Sequence, residues 1–148
     1  MRVGFTGSSR GINQDQIFAL RVRLRALGAT HLHHGDCVHS DAVAHAVALN
    51  LGLHITIHPP LNESKQAFCA GADVMLPQKP YLERNHDIVD ATKILIATPF
   101  ENQMRLRSGT WATVRYARSL DRPILILWPD GRETLERFPM EDLFKCVD

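Results

Sequence analysis

Short apolar runs alternate along the chain with longer segments in which apolar residues recur every three or four positions. The short runs are typical of parallel strands buried on both faces, and the longer periodicity is typical of helices. Strands are predicted at 2–6, 30–34, 53–58, 94–97 and 124–128, with a further short strand at 74–76. Helices are predicted from Asn13 to about Leu27, from Ser40 or Asp41 to Gly52, and over 81–92 and 110–120.

This order of strands and helices predicts an α/β fold in three layers, a Rossmann-like arrangement around a mostly parallel sheet of five or more strands. The 148 residues are enough for one domain with a substantial core. We therefore expect a single domain over 1–148, with its core at about 2–129. The C-terminal tail, 130–148, is predicted to be partly helical between Arg132 and Phe144 and broken near Pro139.

Composition and charge narrow the classes of function. A formal net charge of +1 argues against a protein that binds nucleic acid through bulk charge, so we expect no nucleic-acid partner. No apolar run approaches the roughly 20 residues of a membrane helix, and the N-terminus has no signal-peptide pattern. Cys37, Cys69 and Cys146 are widely spaced, as is typical of reduced thiols. We expect a cytoplasmic protein that does not contact a membrane.

Small and polar residues follow the strands at the ends where ligands bind in open parallel sheets. Hydroxyl and backbone donors follow the first strand and open the helix at Ser108 to Thr110, an arrangement that suits phosphate. Asp36 and Asp41, after the second strand, offer acceptors for ribose hydroxyls. Arg84 offers a guanidinium that can grip a phosphate with two N–H groups. Together these features predict a pocket for a phosphorylated nucleoside.

The candidate ligand-binding residues lie at strand ends and on the helix that carries Arg84. They are Thr6, Gly7, Ser8, Ser9, Arg10, Gly35, Asp36, Asp41, Arg84, Asn85, Thr98, Pro99, Ser108, Gly109, Thr110 and Trp111. They contain neither the complete Rossmann dinucleotide fingerprint nor a P-loop. The loops therefore indicate a phosphate-containing ligand but no particular cofactor. We predict that the protein uses no cofactor.

Two of these features have a second interpretation. Ser108 to Thr110 either cradle a phosphate or simply cap a helix. Arg84 either clamps a ligand or forms a surface ion pair with Glu83 or Asp87. The sequence favours the cradle and the clamp, because both lie where an open sheet places its ligand.

The other polar candidates are equally open to two interpretations. Asp36 and Asp41 either bind sugar hydroxyls or cap the second helix. Trp111 either stacks on a base or packs its helix, and packing is the commoner outcome. Arg105 and Arg107 are expected to be exposed to solvent, unless they close over a phosphate.

A group of histidines suggests a metal site at first sight. Its members are His31, His33, His34 and His39, near Asp36 and Cys37. Because a strand alternates its faces, His33 and His34 cannot both point into one site. We therefore predict histidines at strand edges and in a loop, and no metal site.

The motifs together resemble the SLOG superfamily, which joins the DNA-processing protein A fold to the "Lonely Guy" phosphoribohydrolases. The resemblance covers Val3 to about Pro129. The segments that carry it are Gly4 to Ser8, Gly35 to Ala42, Arg84-Asn85 with Ile88-Val89, Ala97 to Pro99, and Ser108 to Thr113. It implies a Rossmann-like sheet and a homodimer that binds a nucleotide or nucleotide-derived ligand. The phosphate would lie on Ser108, Gly109 and Thr110 and on the loop after the first strand.

One departure from that family concerns catalysis. The phosphoribohydrolases carry a Pro-Gly-Gly-x-Gly-Thr-x-x-Glu motif, and Thr113 occupies the glutamate position here. Arg84 matches the position of the family's catalytic arginine, but an arginine also serves as a phosphate clamp. The sequence thus leaves open whether the protein is an enzyme.

Three hypotheses follow. The first is a sensor or sequestering protein for a nucleotide-like ligand. The second is an N-glycosidase that acts on nucleoside 5′-monophosphates through a relocated carboxylate, for which the candidates are Asp36, Asp41, Glu83 and Glu101. The third, disfavoured by the net charge, is binding of single-stranded DNA.

Overall fold

The computed structural model describes residues 1–137, which form one seven-stranded sheet with four α-helices. The strands are β1 (Arg2–Gly7), β2 (His31–His34), β3 (His54–Ile57), β4 (Val74–Met75), β5 (Ile94–Thr98), β6 (Ile124–Leu127) and β7 (Glu133–Glu136). The helices are α1 (Gln14–Ala26), α2 (Ser40–Asn50), α3 (Tyr81–Asp90) and α4 (Gly109–Ser119). The strand order is β4-β3-β2-β1-β5-β6-β7, and only β7 runs antiparallel to its neighbour.

The helices cover both faces of the sheet, and alternate residues of one strand show this. Ile94 and Ile96 of β5 join the core beneath α1 and α2. Leu95 and Ala97 of the same strand join the core beneath α3 and α4. The three-layer α/β fold with a mostly parallel sheet is therefore confirmed, and β5 is almost wholly apolar because helices lie on both of its sides.

Local signals placed the helix starts correctly. Asn13 caps α1 in a reciprocal capping box, in which Gln16 N donates to Asn13 Oδ1 at 2.9 Å and Asn13 N donates to Gln16 Oε1 at 3.0 Å. The second helix begins at Ser40. The short strand predicted at 74–76 is present as β4. None of the helices within residues 1–137 is long and apolar enough to cross a membrane.

The helical prediction for the tail is wrong over Glu133–Glu136, which form β7. This segment covers the edge of β6, with Leu135 opposite Leu125. Glu133 and Glu136 point to opposite faces of the sheet. Nε and Nη2 of Arg23 in α1 donate to the Glu133 carboxylate at 2.8 and 2.7 Å. Nε and Nη2 of Arg118 in α4 donate to the Glu136 carboxylate, both at 2.9 Å. The remainder of the predicted helical tail, including the break near Pro139, lies outside the described residues.

Candidate functional site

A cleft of about 600 Å³ lies beyond the C-terminal ends of β1, β2 and β5. Fourteen of the sixteen candidate residues line it, all except Asp36 and Thr98. The sheet brings them together because parallel strands all end at the same edge.

The floor of the cleft is formed by the loop after β1. A Cβ atom on Gly7 would overlap Ser40 Cβ and Thr98 Oγ1, so only glycine fits there. The Ser40 hydroxyl donates to the Ser8 carbonyl at 2.6 Å, and Arg10 N donates to Ser8 Oγ at 3.0 Å. The loop is thus fixed by the start of α2 and holds Ser9 and Arg10 at the cleft.

The N-terminus of α4 forms a second wall. Ser108 is its N-cap, and Ser108 Oγ accepts a hydrogen bond from Trp111 N at 3.4 Å. The N–H groups of Gly109 and Thr110 donate no hydrogen bond within residues 1–137. A Cβ atom on Gly109 would meet no atom within 4 Å, so this helix start faces open space. Ser108 therefore caps the helix, and the two N–H groups beside it stay available for an anion.

Arg84 enters the cleft from α3, although it is only 6% exposed. Its Nη1 donates to the carbonyls of Gly35 and, at 3.1 Å, His58, and its Nε donates to Asn85 Oδ1 at 2.7 Å. A Cβ atom on Gly35 would overlap the guanidinium, so that glycine makes the close approach possible. The Arg84 guanidinium is thus held by dipoles at the ends of β2 and β3, and Nη2 donates no hydrogen bond within residues 1–137.

The surface ion pair proposed for Arg84 is wrong. Lys79 Nζ lies 2.7 Å from Asp87 and 3.8 Å from Glu83, so both carboxylates pair with the lysine on the outside of α3. Within residues 1–137, Arg84 makes no salt bridge. Arg84 therefore keeps its positive charge and the N–H groups of Nη2 for an anion.

Asp41 is the buried carboxylate of the cleft. Its Oδ2 accepts hydrogen bonds from Gly35 N at 3.1 Å and Cys37 N at 3.0 Å. Burial raises the pKa of Asp41 to about 6, against the lowering effects of Arg84 and of these two N–H groups. The side chain therefore titrates closer to neutral pH than an ordinary aspartate.

Asp36 differs from Asp41 in its partners. It is fully buried, and its two oxygens accept hydrogen bonds from Cys69 N and Gln66 Nε2, both at 3.0 Å. It thereby holds the β3–β4 connection beside the site and does not line the cleft. Neither aspartate caps α2, which begins after His39, because both carboxylates bind N–H groups outside that helix.

Thr98 is the other candidate outside the cleft. It is fully buried at the end of β5, where its carbonyl accepts a hydrogen bond from Ser8 N at 3.2 Å. Within residues 1–137 its hydroxyl has no partner. Thr98 packs against the floor loop from below, which explains why it cannot reach a ligand.

The sequence analysis missed one wall, which comes from the β3–β4 connection. Asn62, Ser64 and Lys65 line the cleft there, and Tyr81 joins them from α3. The Tyr81 hydroxyl donates to the Asn62 carbonyl at 3.2 Å, and its ring lies 5.1 Å from Arg84 Cζ. The only signal in the sequence was the length of this proline-rich connection.

The cleft is strongly cationic although the chain is almost neutral. Five cations line it, Arg10, Lys65, Arg84, Arg105 and Arg107, against two carboxylates, Asp41 and Glu101. This surplus of three positive charges weakens the argument that net charge excludes a polyanionic ligand, because the local field acts on a ligand at the site.

Solved structures match the chain over most of its length, whereas neither a protein-family model nor a curated protein matches it. The molybdenum cofactor binding protein from the phototrophic bacterium Rippkaea orientalis superposes with a TM-score of 0.67 at 21% identity, covering 86% of this chain and 76% of that one. The structural genomics target TM1055 superposes with a TM-score of 0.62 at 15% identity, covering 83% of this chain and 71% of that one. DNA processing protein A from Helicobacter pylori superposes with a TM-score of 0.60 at 18% identity, covering 85% of this chain and 64% of that one. The chain therefore shares the Rossmann-like α/β fold of these structures.

The start of α4 departs from the phosphoribohydrolase motif, as the sequence indicated. Thr113 is buried, and its hydroxyl donates to the Gly109 carbonyl at 2.9 Å. The position therefore holds the first turn of α4 together and offers no carboxylate. Trp111 is also buried and packs on Trp128, with ring centroids 5.5 Å apart, so the packing interpretation accounts for its contacts.

The buried histidines form pairs on the two faces of the sheet. His33 Nδ1 lies 2.8 Å from His58 Nε2, and His34 Nε2 lies 2.9 Å from His45 Nδ1. The predicted separation of His33 and His34 is thus confirmed. Within residues 1–137, no three His, Cys, Asp or Glu side chains are grouped so that they could hold a metal ion.

Proposed function

We propose that this protein binds a phosphorylated nucleotide-like ligand in the cleft and acts as a sensor or sequestering protein. The observation that carries the proposal is the buried guanidinium of Arg84, which has carbonyl partners and no carboxylate within residues 1–137. Asp41 acts on Arg84 only through space, so the guanidinium has no directly bonded anion among the described residues, and a bound phosphate would supply one.

The surroundings of Arg84 support phosphate over other anions. The free N–H groups at the start of α4 and the hydroxyls of the floor loop line the same cleft. Backbone N–H groups at a helix N-terminus together with a guanidinium fork suit the tetrahedral oxygens of phosphate. Asp41 remains as an acceptor for a sugar hydroxyl. Two proteins with this fold are named for binding a cofactor and single-stranded DNA.

The test measures binding of the four nucleoside 5′-monophosphates to the purified chain by isothermal titration calorimetry. Arg84→Ala should weaken binding at least tenfold, the value of a charge-assisted hydrogen bond. Arg25→Ala, which removes an exposed arginine on α1, is the matched control and should bind like the wild type. The proposal fails if no nucleotide binds, or if Arg84→Ala binds as well as the control.

A second candidate function is N-glycosidase activity on the same nucleotides. It is favoured by Asp41, a cleft carboxyl whose pKa burial raises to about 6 and which lies in the field of Arg84. A carboxyl with a raised pKa is suited to acid–base work near neutral pH. Of the four carboxylates considered for a relocated role, only Asp41 and Glu101 line the cleft.

Release of free base from the same panel, followed by chromatography, distinguishes the enzyme from the binder. Turnover that disappears in Asp41→Asn and Arg84→Ala supports the enzyme. Binding without release across the panel supports the sensor. Glu101→Gln shows which of the two carboxylates acts in base release, because it alters an exposed loop and leaves Asp41 unchanged.

We also propose a homodimer, as the resemblance to the superfamily implies. Leu49 of α2 and Leu82 of α3 are largely exposed, at 48% and 62%, and supply apolar surface for such a contact. Light scattering after size exclusion tests this, and Leu82→Glu should give a monomer if α3 forms the interface.

A further inference from the structure

The cations of the cleft fall into two groups attached to different strands. The inner group is Arg84 with Lys65, and it belongs to the ends of β2 and β3. The outer group is Arg10, which follows β1, with Arg105 and Arg107, which follow β5. Both groups line the same cleft, so one ligand can reach both.

The strand order gives the distance between the two groups. Arg84 Nη1 donates hydrogen bonds to the carbonyls that follow β2 and β3. The outer arginines instead follow β1 and β5. These four strands are neighbours in the sheet, in the order β3-β2-β1-β5. Neighbouring strands lie about 4.8 Å apart, so the two pairs of strand ends from which the groups extend are centred about 10 Å apart. One phosphate group is too small to bridge that distance.

The outer group is already arranged around an anion. The carboxylate of Glu101 accepts a hydrogen bond from Arg105 Nε at 2.8 Å and lies 3.6 Å from Arg10 Nη1. Arg107 makes no salt bridge within residues 1–137. Arg115 supports the loop from below through the carbonyls of Arg105 and Leu106, at 3.4 and 3.1 Å. Arg10 and Arg105 thus share one carboxylate while Arg107 pairs with none, which leaves two positive charges for a ligand.

An exposed aromatic ring lies beside the outer group. Phe100 is 44% exposed, lines the cleft, and has Arg10 Cζ 4.3 Å from its ring centre. A flat ring beside cations is the combination on which a base stacks while its phosphate is neutralised. The outer group therefore suits a nucleotide phosphate better than a free inorganic ion.

We infer that the ligand carries two phosphate groups on opposite sides of a nucleoside, one held by Arg84 and the other by Arg10, Arg105 and Arg107 in place of Glu101. Nucleoside 3′,5′-bisphosphates, phosphorylated dinucleotides and a stretch of single-stranded nucleic acid share this chemistry. The inference rests on the proposed function, because the first phosphate is the one assigned there to Arg84.

The test compares ligands that differ in phosphate number and position. Calorimetry on the full chain uses adenosine 5′-monophosphate, adenosine 5′-diphosphate and adenosine 3′,5′-bisphosphate, with the same sets for the other bases. The 3′,5′-bisphosphate should bind at least about tenfold more tightly than the monophosphate, the value of an added charge-assisted bond. It should also bind more tightly than the 5′-diphosphate, which has the same number of phosphates on one side only.

Variants assign the second phosphate to the outer group. Arg105→Ala and Arg107→Ala should each bring the bisphosphate towards the affinity of the monophosphate, and each should weaken monophosphate binding by a clearly smaller factor. Glu101→Gln should strengthen bisphosphate binding by up to about fivefold, because it removes a competing exposed ion pair. Arg25→Ala is again the control, and thermal melting of each variant verifies that the fold is intact.

The outcomes separate the two proposals. Absence of binding by every nucleotide overturns the proposed function and this inference with it. Monophosphate binding as tight as bisphosphate binding, or a preference that survives the change of both Arg105 and Arg107 to Ala, overturns the inference alone. A phosphorylated dinucleotide and a twelve-residue single-stranded DNA then identify the source. Equal affinity points to a free dinucleotide, and tighter, strongly salt-dependent binding of the longer strand points to nucleic acid.

Discussion

The inner and outer cations of the cleft are built in different ways. Arg84 is buried and held in position by two backbone carbonyls and a neighbouring amide. Arg105 and Arg10 are exposed, and their common partner is the carboxylate of Glu101. The inner site is therefore ordered before any ligand arrives, whereas the outer loop must exchange an internal anion for an external one.

This difference has consequences for affinity and for selectivity. A preorganised buried donor loses little entropy on binding, so the inner group should supply most of the affinity. An exposed ion pair contributes about 0.2–1 kcal/mol and is screened by salt, so the outer group should discriminate between ligands at little cost to the fold. Predictions that compare the two regions test this division directly.

The largest expected difference between the two regions is the effect of low pH on stability. The strands next to Arg84 carry histidines whose pKa burial lowers. The pKa falls to about 4 for His33 of β2 and for His58 after β3, and to about 3 for His34 of β2. The hydrogen bonds keep His34 neutral, because Asp36 N donates to its Nδ1 at 3.0 Å while its Nε2 faces His45. Below the ordinary histidine pKa of about 6.5, the unfolded chain therefore binds more protons than the folded chain.

The free energy of unfolding should consequently fall as the pH falls from about 6.5 towards about 4. Asp41 acts in the opposite direction over part of this range, since its raised pKa favours the folded state as the pH falls from about 6. One carboxyl does not outweigh three histidines. Urea unfolding at several pH values measures this, and Asp41→Asn should steepen the loss. A midpoint that stays constant between pH 7 and pH 5 would contradict the prediction.

The next contrast concerns stability after loss of a single cation. Arg84→Ala should lower the free energy of unfolding by about 1–3 kcal/mol, because the carbonyls of Gly35 and His58 lose a charged donor. Arg107→Ala should change it by less than about 0.5 kcal/mol, since this exposed side chain makes no salt bridge within residues 1–137. Equal effects in chemical denaturation would show that the two cations are not built differently.

The sequence predicts the inner and outer regions with unequal success, and the reason is physical. Strand ends and helix starts carry local signals, so the end of β1 and the start of α4 beside Ser108 can be predicted directly, with the cap as one of two interpretations of Ser108. The partners of Arg84 come from the ends of β2 and β3, 49 and 26 residues away, and no local pattern encodes them.

Two other features were hidden for the same reason. Asp36 resembles a ligand residue in sequence, but it serves a connection that lies some thirty residues further along the chain. The strand β7 carries no alternating apolar pattern, and the arginines Arg23 and Arg118 that hold it lie on two different helices. Features that depend on such distant contacts can be recognised only once the sheet order is known.

The smallest contrast, and the most specific, compares two glycines of the cleft. Gly35→Ala should push the Arg84 guanidinium away from its carbonyl partners, because the new Cβ atom would overlap it. We expect a loss of about 1–2 kcal/mol in stability, together with weaker nucleotide binding. Gly109→Ala adds its methyl group to open space at the start of α4, so the fold should be unchanged or gain up to about 1 kcal/mol.

Nucleotide binding should nevertheless fall in Gly109→Ala, because the methyl group stands where a phosphate would approach the free N–H groups. A stable Gly109→Ala variant that has lost binding would show that glycine is needed at this position for the ligand to approach and not for packing. A variant that is equally stable and binds nucleotide like the wild type would instead show that α4 serves only the fold. The phosphate would then have to lie on Arg84 and the floor loop alone.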